Sequence, residues 1–89
     1  MKAIITVTGK DKVGIISLVS SACSENNVNI VDISQTVMKE FFAMTMLVEI
    51  DGLACGFADF ASKMQKLGVE NGVDIRVMHE DIFNSMHRI

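Results

Sequence analysis

The residues best suited to chemistry in this chain are Thr8-Gly9-Lys10-Asp11-Lys12-Val13-Gly14, where an apolar strand runs into a turn and an apolar-periodic helix runs out. Asp11 has the side chain to cap that helix, and Gly14, placed in the first turn, removes a side chain where a backbone or ligand could come close. First-turn N–H groups lack intrahelical partners and sit at the positive end of the helix dipole, so the turn offers a seat for a carboxylate. The same residues also serve a plain strand-to-helix turn, which needs a cap and a glycine in any case.

The elements that position this turn follow from hydrophobic period. Ala3, Ile5 and Val7 alternate with Lys2, Ile4 and Thr6 as a first strand, and Ile15, Leu18, Val19 and Ala22 recur on one helix face. Glu25-Asn26-Asn27 breaks the helix, and a β-branched stretch from Val28 to about Met38 predicts a second strand. Lys39-Glu40 separates it from a third, in which Phe42, Met44, Met46, Val48 and Ile50 share a face. Helical period returns from about Ala54 to Asn71, with Phe57, Phe60, Ala61, Met64 and Leu67 on one stripe. Asn71-Gly72 stops it, and Val73, Ile75 and Val77 alternate with Asp74, Arg76 and Met78 as a fourth strand. The order β-α-β-β-α-β predicts an α+β, ferredoxin-like sandwich: a four-stranded antiparallel sheet with both helices on one face. Residues 1–79 form this domain. Residues 80–89 read as a short helical tail in which Ile82, Met86 and Ile89 share a face with Phe83 beside them. Too short to be stable alone, the tail has to dock, through Phe83 and Met86.

The 89 residues carry a formal net charge of −3 and no basic patch, which argues against a nucleic-acid partner. A hydrophobic content of 49% is high for one small domain. Ile4, Phe41, Ala43 and Leu47 fall on the sheet face away from the helices, so cover by a partner or by the tail is expected, and a homo-oligomer, most simply a dimer, is the reading adopted. Cys23 and Cys55 match no zinc or C-x-x-C spacing and read as reduced, mostly buried thiols, which suits the cytoplasm. The first residues read as a strand rather than a leader, and no segment reaches the roughly 18 apolar residues of a membrane span.

With its βαββαβ order, its Asp-x-x-Gly turn after the first strand and Val28-Asn29-Ile30 opening the second, the chain resembles the ACT domain over about residues 1–79. Gly-Lys-Asp-Lys-Val-Gly-Ile makes it most similar to free-standing single-domain proteins akin to the glycine-cleavage-system regulator. The resemblance implies a regulatory module that binds a small amino acid between the first turn of one subunit and the second strand of its neighbour. Carried onto this chain, the site comprises Gly9, Asp11, Val13, Gly14 and Asn29. Amides near Val13 and Gly14 would take the carboxylate, Asp11 the ammonium, and Asn29, from across the interface, either end. Such a site uses no cofactor, metal or nucleophile, and regulation would act through another polypeptide. Where many ACT turns read Asp-Arg-Pro-Gly, this one has Lys12 and Val13 and lacks the proline that preorganises a first helical turn.

Rival activities with this element order lack their residues. An acylphosphatase needs an arginine in its first loop, a copper carrier needs two cysteines there, and an RNA-recognition motif needs exposed aromatics. Cys23, Cys55, His79 and His87 form no recognised nucleophile–base arrangement. The remaining alternative to a sensor is a purely structural interaction module without a small-molecule ligand.

Overall fold

A computed structural model describes residues 1–10 and 14–86. Its elements are β1 (Lys2–Gly9), α1 (Ile15–Glu25), β2 (Asn29–Met38), β3 (Phe41–Glu49), α2 (Phe57–Glu70), β4 (Asp74–His79) and α3 (Glu80–Met86). The four strands form one antiparallel sheet in the order β2-β3-β1-β4, which leaves β2 and β4 at the edges.

The alternation of each strand sends one set of side chains beneath the helices. Ala3, Ile5 and Val7 of β1, Phe42, Met44, Met46 and Val48 of β3, and Ile75 of β4 are buried with Ile15, Val19 and Cys23 of α1 and Phe60 and Met64 of α2. Gly68 lets α2 approach β4 closely: its carbonyl accepts the Val73 N–H at 2.9 Å, and a Cβ there would stand 2.7 Å from the Val73 carbonyl oxygen.

Two features of the β2–β3 hairpin lie outside simple alternation. The register shifts between Ile30 and Asp32, so Val31 bulges out of the ladder and is 47% exposed. Met38 pairs with Phe41 across a two-residue turn in which Lys39 takes φ 55°. The turn thus forms without the glycine or asparagine such turns prefer, at a cost of about 1–2 kcal/mol.

Of the two covers expected for Ile4, a partner or the tail, the chain itself supplies the second. Ile4 points away from α1 and α2 yet is only 7% exposed. α3 packs against β1 and β4, the strands that meet at Ile4 and Met78, and is the described element placed to cover it. The expected docking face of the tail is corrected: Phe83 is half-buried, while Ile82 and Met86 remain exposed. α3 starts at Glu80, directly after β4 ends at His79, so the strand fixes the phase of the helix. His79 contributes to that join, its Nδ1 accepting the Asp81 N–H at 3.2 Å while its ring meets Phe57 edge-on. Ile89 and His87 lie outside the described residues.

Removal of the residues after Glu80 uncovers Ile4. The truncated chain is expected to lose about 1–3 kcal/mol, the scale of exposing one large aliphatic side chain, and to melt roughly 5–15 °C lower by circular dichroism. An unchanged melting temperature would show that α3 does not hold the face.

Candidate functional site

The β1–α1 connection ends at Gly14, which takes φ 77° and occupies the N-cap position of α1. A Cβ at Gly14 would meet no atom within 4 Å, so the glycine is required by backbone conformation rather than by close approach. This corrects two expectations. The N-cap is Gly14 and not Asp11, and Gly14 precedes the first turn instead of lying in it. The first intrahelical bond runs from the Leu18 N–H to the Gly14 carbonyl at 2.9 Å. Amides without an intrahelical acceptor therefore belong to Gly14, Ile15, Ile16 and Ser17. Asp11 and Val13 lie outside the described residues.

Gly9 has a structural role as well, since a Cβ there would come within 2.7 Å of the Val73 side chain. It pairs with Phe42 at one end of β3. Asn29 pairs with Glu49 at the other end, and its Nδ2 donates to Glu49 Oε1 at 2.9 Å. Seven residues of extended strand separate the two positions, about 23 Å. One chain therefore does not bring Asn29 to the first turn.

A groove of about 410 Å³ adjoins Asn29, lined by Ser20, Ser24, Asn27, Val28, Asn29 and Ile30. It follows the seam where α1 packs against β2. Its serine hydroxyls were not among the expected site residues. The signal for them is present: Ser17, Ser20 and Ser24 recur at i, i+3 and i+7, a hydroxyl stripe beside the apolar one.

β2 itself is poorly covered. None of its residues is buried, and Val31 and Val37 are about half exposed. An antiparallel pairing of β2 with β2 of a second copy would set the start of one strand beside the end of the other. α1 lies on the β2 side of the sheet and runs opposite to β2. The same two-fold pairing would carry the Ile15–Ser17 amides of one copy toward the Ser24–Asn29 groove of the other.

The cysteines are both free and differ in setting. Cys23 is buried in the core, and burial pushes its thiol up from 9.0 to about 11. Cys55 is half-buried, with Asn26 Oδ1 at 3.8 Å and Lys63 Nζ at 3.9 Å. Among the described residues no group of three or more His, Cys, Asp or Glu side chains is placed to hold a metal ion. No helix among them is long and apolar enough to cross a membrane.

A four-stranded antiparallel sheet backed on one face by two helices, with a glycine-capped turn after its first strand, defines the class of small ferredoxin-like domains. Within that class the ACT domain profile matches residues 2–78, and the chain belongs to the ACT domain family. ACT domains are regulatory, amino-acid-binding modules. A UPF0237 protein of Clostridium perfringens (strain 13 / Type A) is 52% identical over 89 residues, covering all of both chains. An ACT domain protein from Streptococcus pneumoniae superposes with a TM-score of 0.83 at 42% identity, over 93% of each chain. A protein assigned as a glycine cleavage system transcriptional repressor shares the fold at 14% identity and a TM-score of 0.72, over 88% of this chain and 46% of that one.

The two thiols are expected to separate chemically. At pH 8 in native buffer one thiol per chain, Cys55, reacts with Ellman's reagent, and Cys23 reacts only after denaturation. Because the folded state holds the Cys23 proton more tightly than the unfolded state, its contribution to stability is complete below pH 9 and is lost as pH rises toward 11. Rapid reaction of both native thiols would contradict the placement of Cys23.

Proposed function

We propose that the chain is a non-catalytic regulatory module that binds a small amino acid or related metabolite between two copies and acts on a separate protein. The observation that carries this reading is the division of the binding groups. First-turn amides of α1 suit a carboxylate, while Asn29, Glu49 and the serine-lined groove lie at the opposite end of the sheet. A second copy paired along β2 supplies the missing half. In the paired site the amides of Ile15, Ile16 and Ser17 take the carboxylate of the ligand. Asp11 of the same turn, or the Glu49 carboxylate beside Asn29, takes the ammonium, and the Asn29 amide orients it. Membership in a family of amino-acid-binding regulators supports the reading, as does the exposure of β2. The cytoplasm suits its two free cysteines.

A thermal-shift screen against the amino acids tests it. At least one is expected to raise the melting temperature in a concentration-dependent manner, with about 2.7 kcal/mol of added stability at a hundredfold excess over Kd. Asn29→Ala should weaken that ligand about tenfold by calorimetry, corresponding to one lost hydrogen bond of about 1.4 kcal/mol, with the unliganded melt little changed. No response to any amino acid would favour the purely structural interaction module.

A further inference from the structure

The join between α2 and β4 carries a reactive pair that the site above does not use. Asn71 ends α2 and Gly72 follows it, and both are exposed. Gly72 takes φ 73°, the left-handed conformation that closes a helix. Two backbone bonds complete the closure: the Val73 N–H donates to the Gly68 carbonyl at 2.9 Å, and the Gly72 N–H to the Val69 carbonyl at 3.4 Å. The Asn71 side chain adds another, its Nδ2 donating to the Leu67 carbonyl at 2.8 Å.

Asparagine followed by glycine is chemically labile. The side-chain Cγ is an electrophile within reach of the next backbone nitrogen, and glycine sets no Cβ in the way of the attack. The Gly72 nitrogen gives up its proton and bonds to Asn71 Cγ, the Cγ–Nδ2 bond breaks, and Nδ2 leaves as ammonia with that proton. A cyclic imide remains. Water opens it at either carbonyl: attack at Cγ gives aspartate in the ordinary chain, and attack at the main-chain carbonyl gives isoaspartate, whose backbone runs through Cβ and Cγ and is one methylene longer. Water is the only reagent consumed.

The structure sets this pair apart from others of its kind. Asn26, Asn27, Asn29 and Asn84 precede Asn27, Val28, Ile30 and Ser85, each of which places a Cβ beside the attacking nitrogen, β-branched in Val28 and Ile30. Asp51 precedes Gly52, but a carboxylate is a poor electrophile, and this one is held by the Met1 ammonium at 2.7 Å. At Asn71 the closed cap restrains the reaction, because the bond to Leu67 turns the amide back along α2 while the Gly72 N–H is directed at Val69. The 3.4 Å bond is the longest of the join, and a helix end opens more readily than its middle. Opening of this one turn frees electrophile and nucleophile together.

The products do not fit the join. Gly68 lets α2 lie so close to β4 that a Cβ there would stand 2.7 Å from the Val73 carbonyl oxygen and 3.0 Å from the Ile75 nitrogen. An extra methylene between residues 71 and 72 displaces Val73 and Ile75 from that contact. Either product also replaces the Nδ2 donor with a carboxylate at the negative end of the α2 dipole, next to Glu70. β4 runs directly into α3, so loosening β4 loosens the cover over Ile4.

We propose that Asn71 is a site of spontaneous deamidation gated by opening of the last turn of α2, and that the modified join releases β4 and α3. The test is peptide mapping by mass spectrometry of the full chain after days in reducing, mildly alkaline buffer, with a parallel sample in guanidinium chloride. Asn71 is expected to be modified ahead of every other asparagine, as aspartate and isoaspartate products of equal mass, and about tenfold or more slower in native buffer than in denaturant. The modified fraction of the native sample, separated by anion exchange, is expected to melt roughly 5 °C or more below the unmodified fraction. Asn71→Ser, which has no amide to lose, should keep its starting melting temperature through the same incubation. Earlier modification of another asparagine, equal rates with and without denaturant, a modified fraction that melts with the unmodified one, or an Asn71→Ser chain that loses stability as the wild type does would overturn the proposal.

Discussion

The structure depends on the burial of β1 from both sides. This strand is hydrogen-bonded to β3 along one edge and β4 along the other, and Ala3, Ile5 and Val7 are wholly buried beneath the helices. Ile4 is covered on the opposite face near α3. At Ile4 the strand is therefore enclosed on both faces, while Thr6 and Thr8 leave the same outer face accessible further along, and a slip of one residue would expose its buried set. With β1 and β3 in the centre, β2 is pushed to the edge, where α1 touches it without burying any of its residues.

That displacement has a functional consequence. The residues with ligand chemistry fall at the two ends of the sheet because β1 and β2 run in the same direction while their turns lie at opposite ends. The α1 N-terminus presents amides without an intrahelical acceptor at one end, and Asn29 with Glu49 lies at the other. In the proposed pairing, a two-fold axis beside β2 would bring unlike ends together, which a monomer of this topology does not do. The poor cover of β2 and the split of the site are thus two results of one strand order.

Much of this was legible in the residues. β1, β3 and β4 follow alternation closely, and the stripe Phe60–Met64 in α2 identifies its buried face. Three features were not, each for a physical reason. The start of α1 depends on the left-handed conformation of Gly14, and a glycine adopts that conformation as readily at an N-cap as it accepts a helical one. The bulge at Val31 arises from pairing with β3, which no local pattern in Asn29–Met38 records. The outward turn of Ile82 and Met86 follows from the direct join of β4 to α3, whereas apolar periodicity alone reports that a face exists and not where it points. Of the candidate site, the place of Asn29 at the start of β2 was legible, whereas the serine stripe of α1 becomes meaningful only once α1 is set beside β2.

Hydrogen–deuterium exchange of β2 as a function of protein concentration tests the central claim most directly, because the outward amides of an edge strand are protected only if another strand pairs with them. Protection of Asn29–Met38 should rise with concentration, and an amino acid that raises the melting temperature should extend it to Ile15, Ile16 and Ser17. Exchange of β2 that stays fast and independent of concentration, with or without that amino acid, would contradict the account.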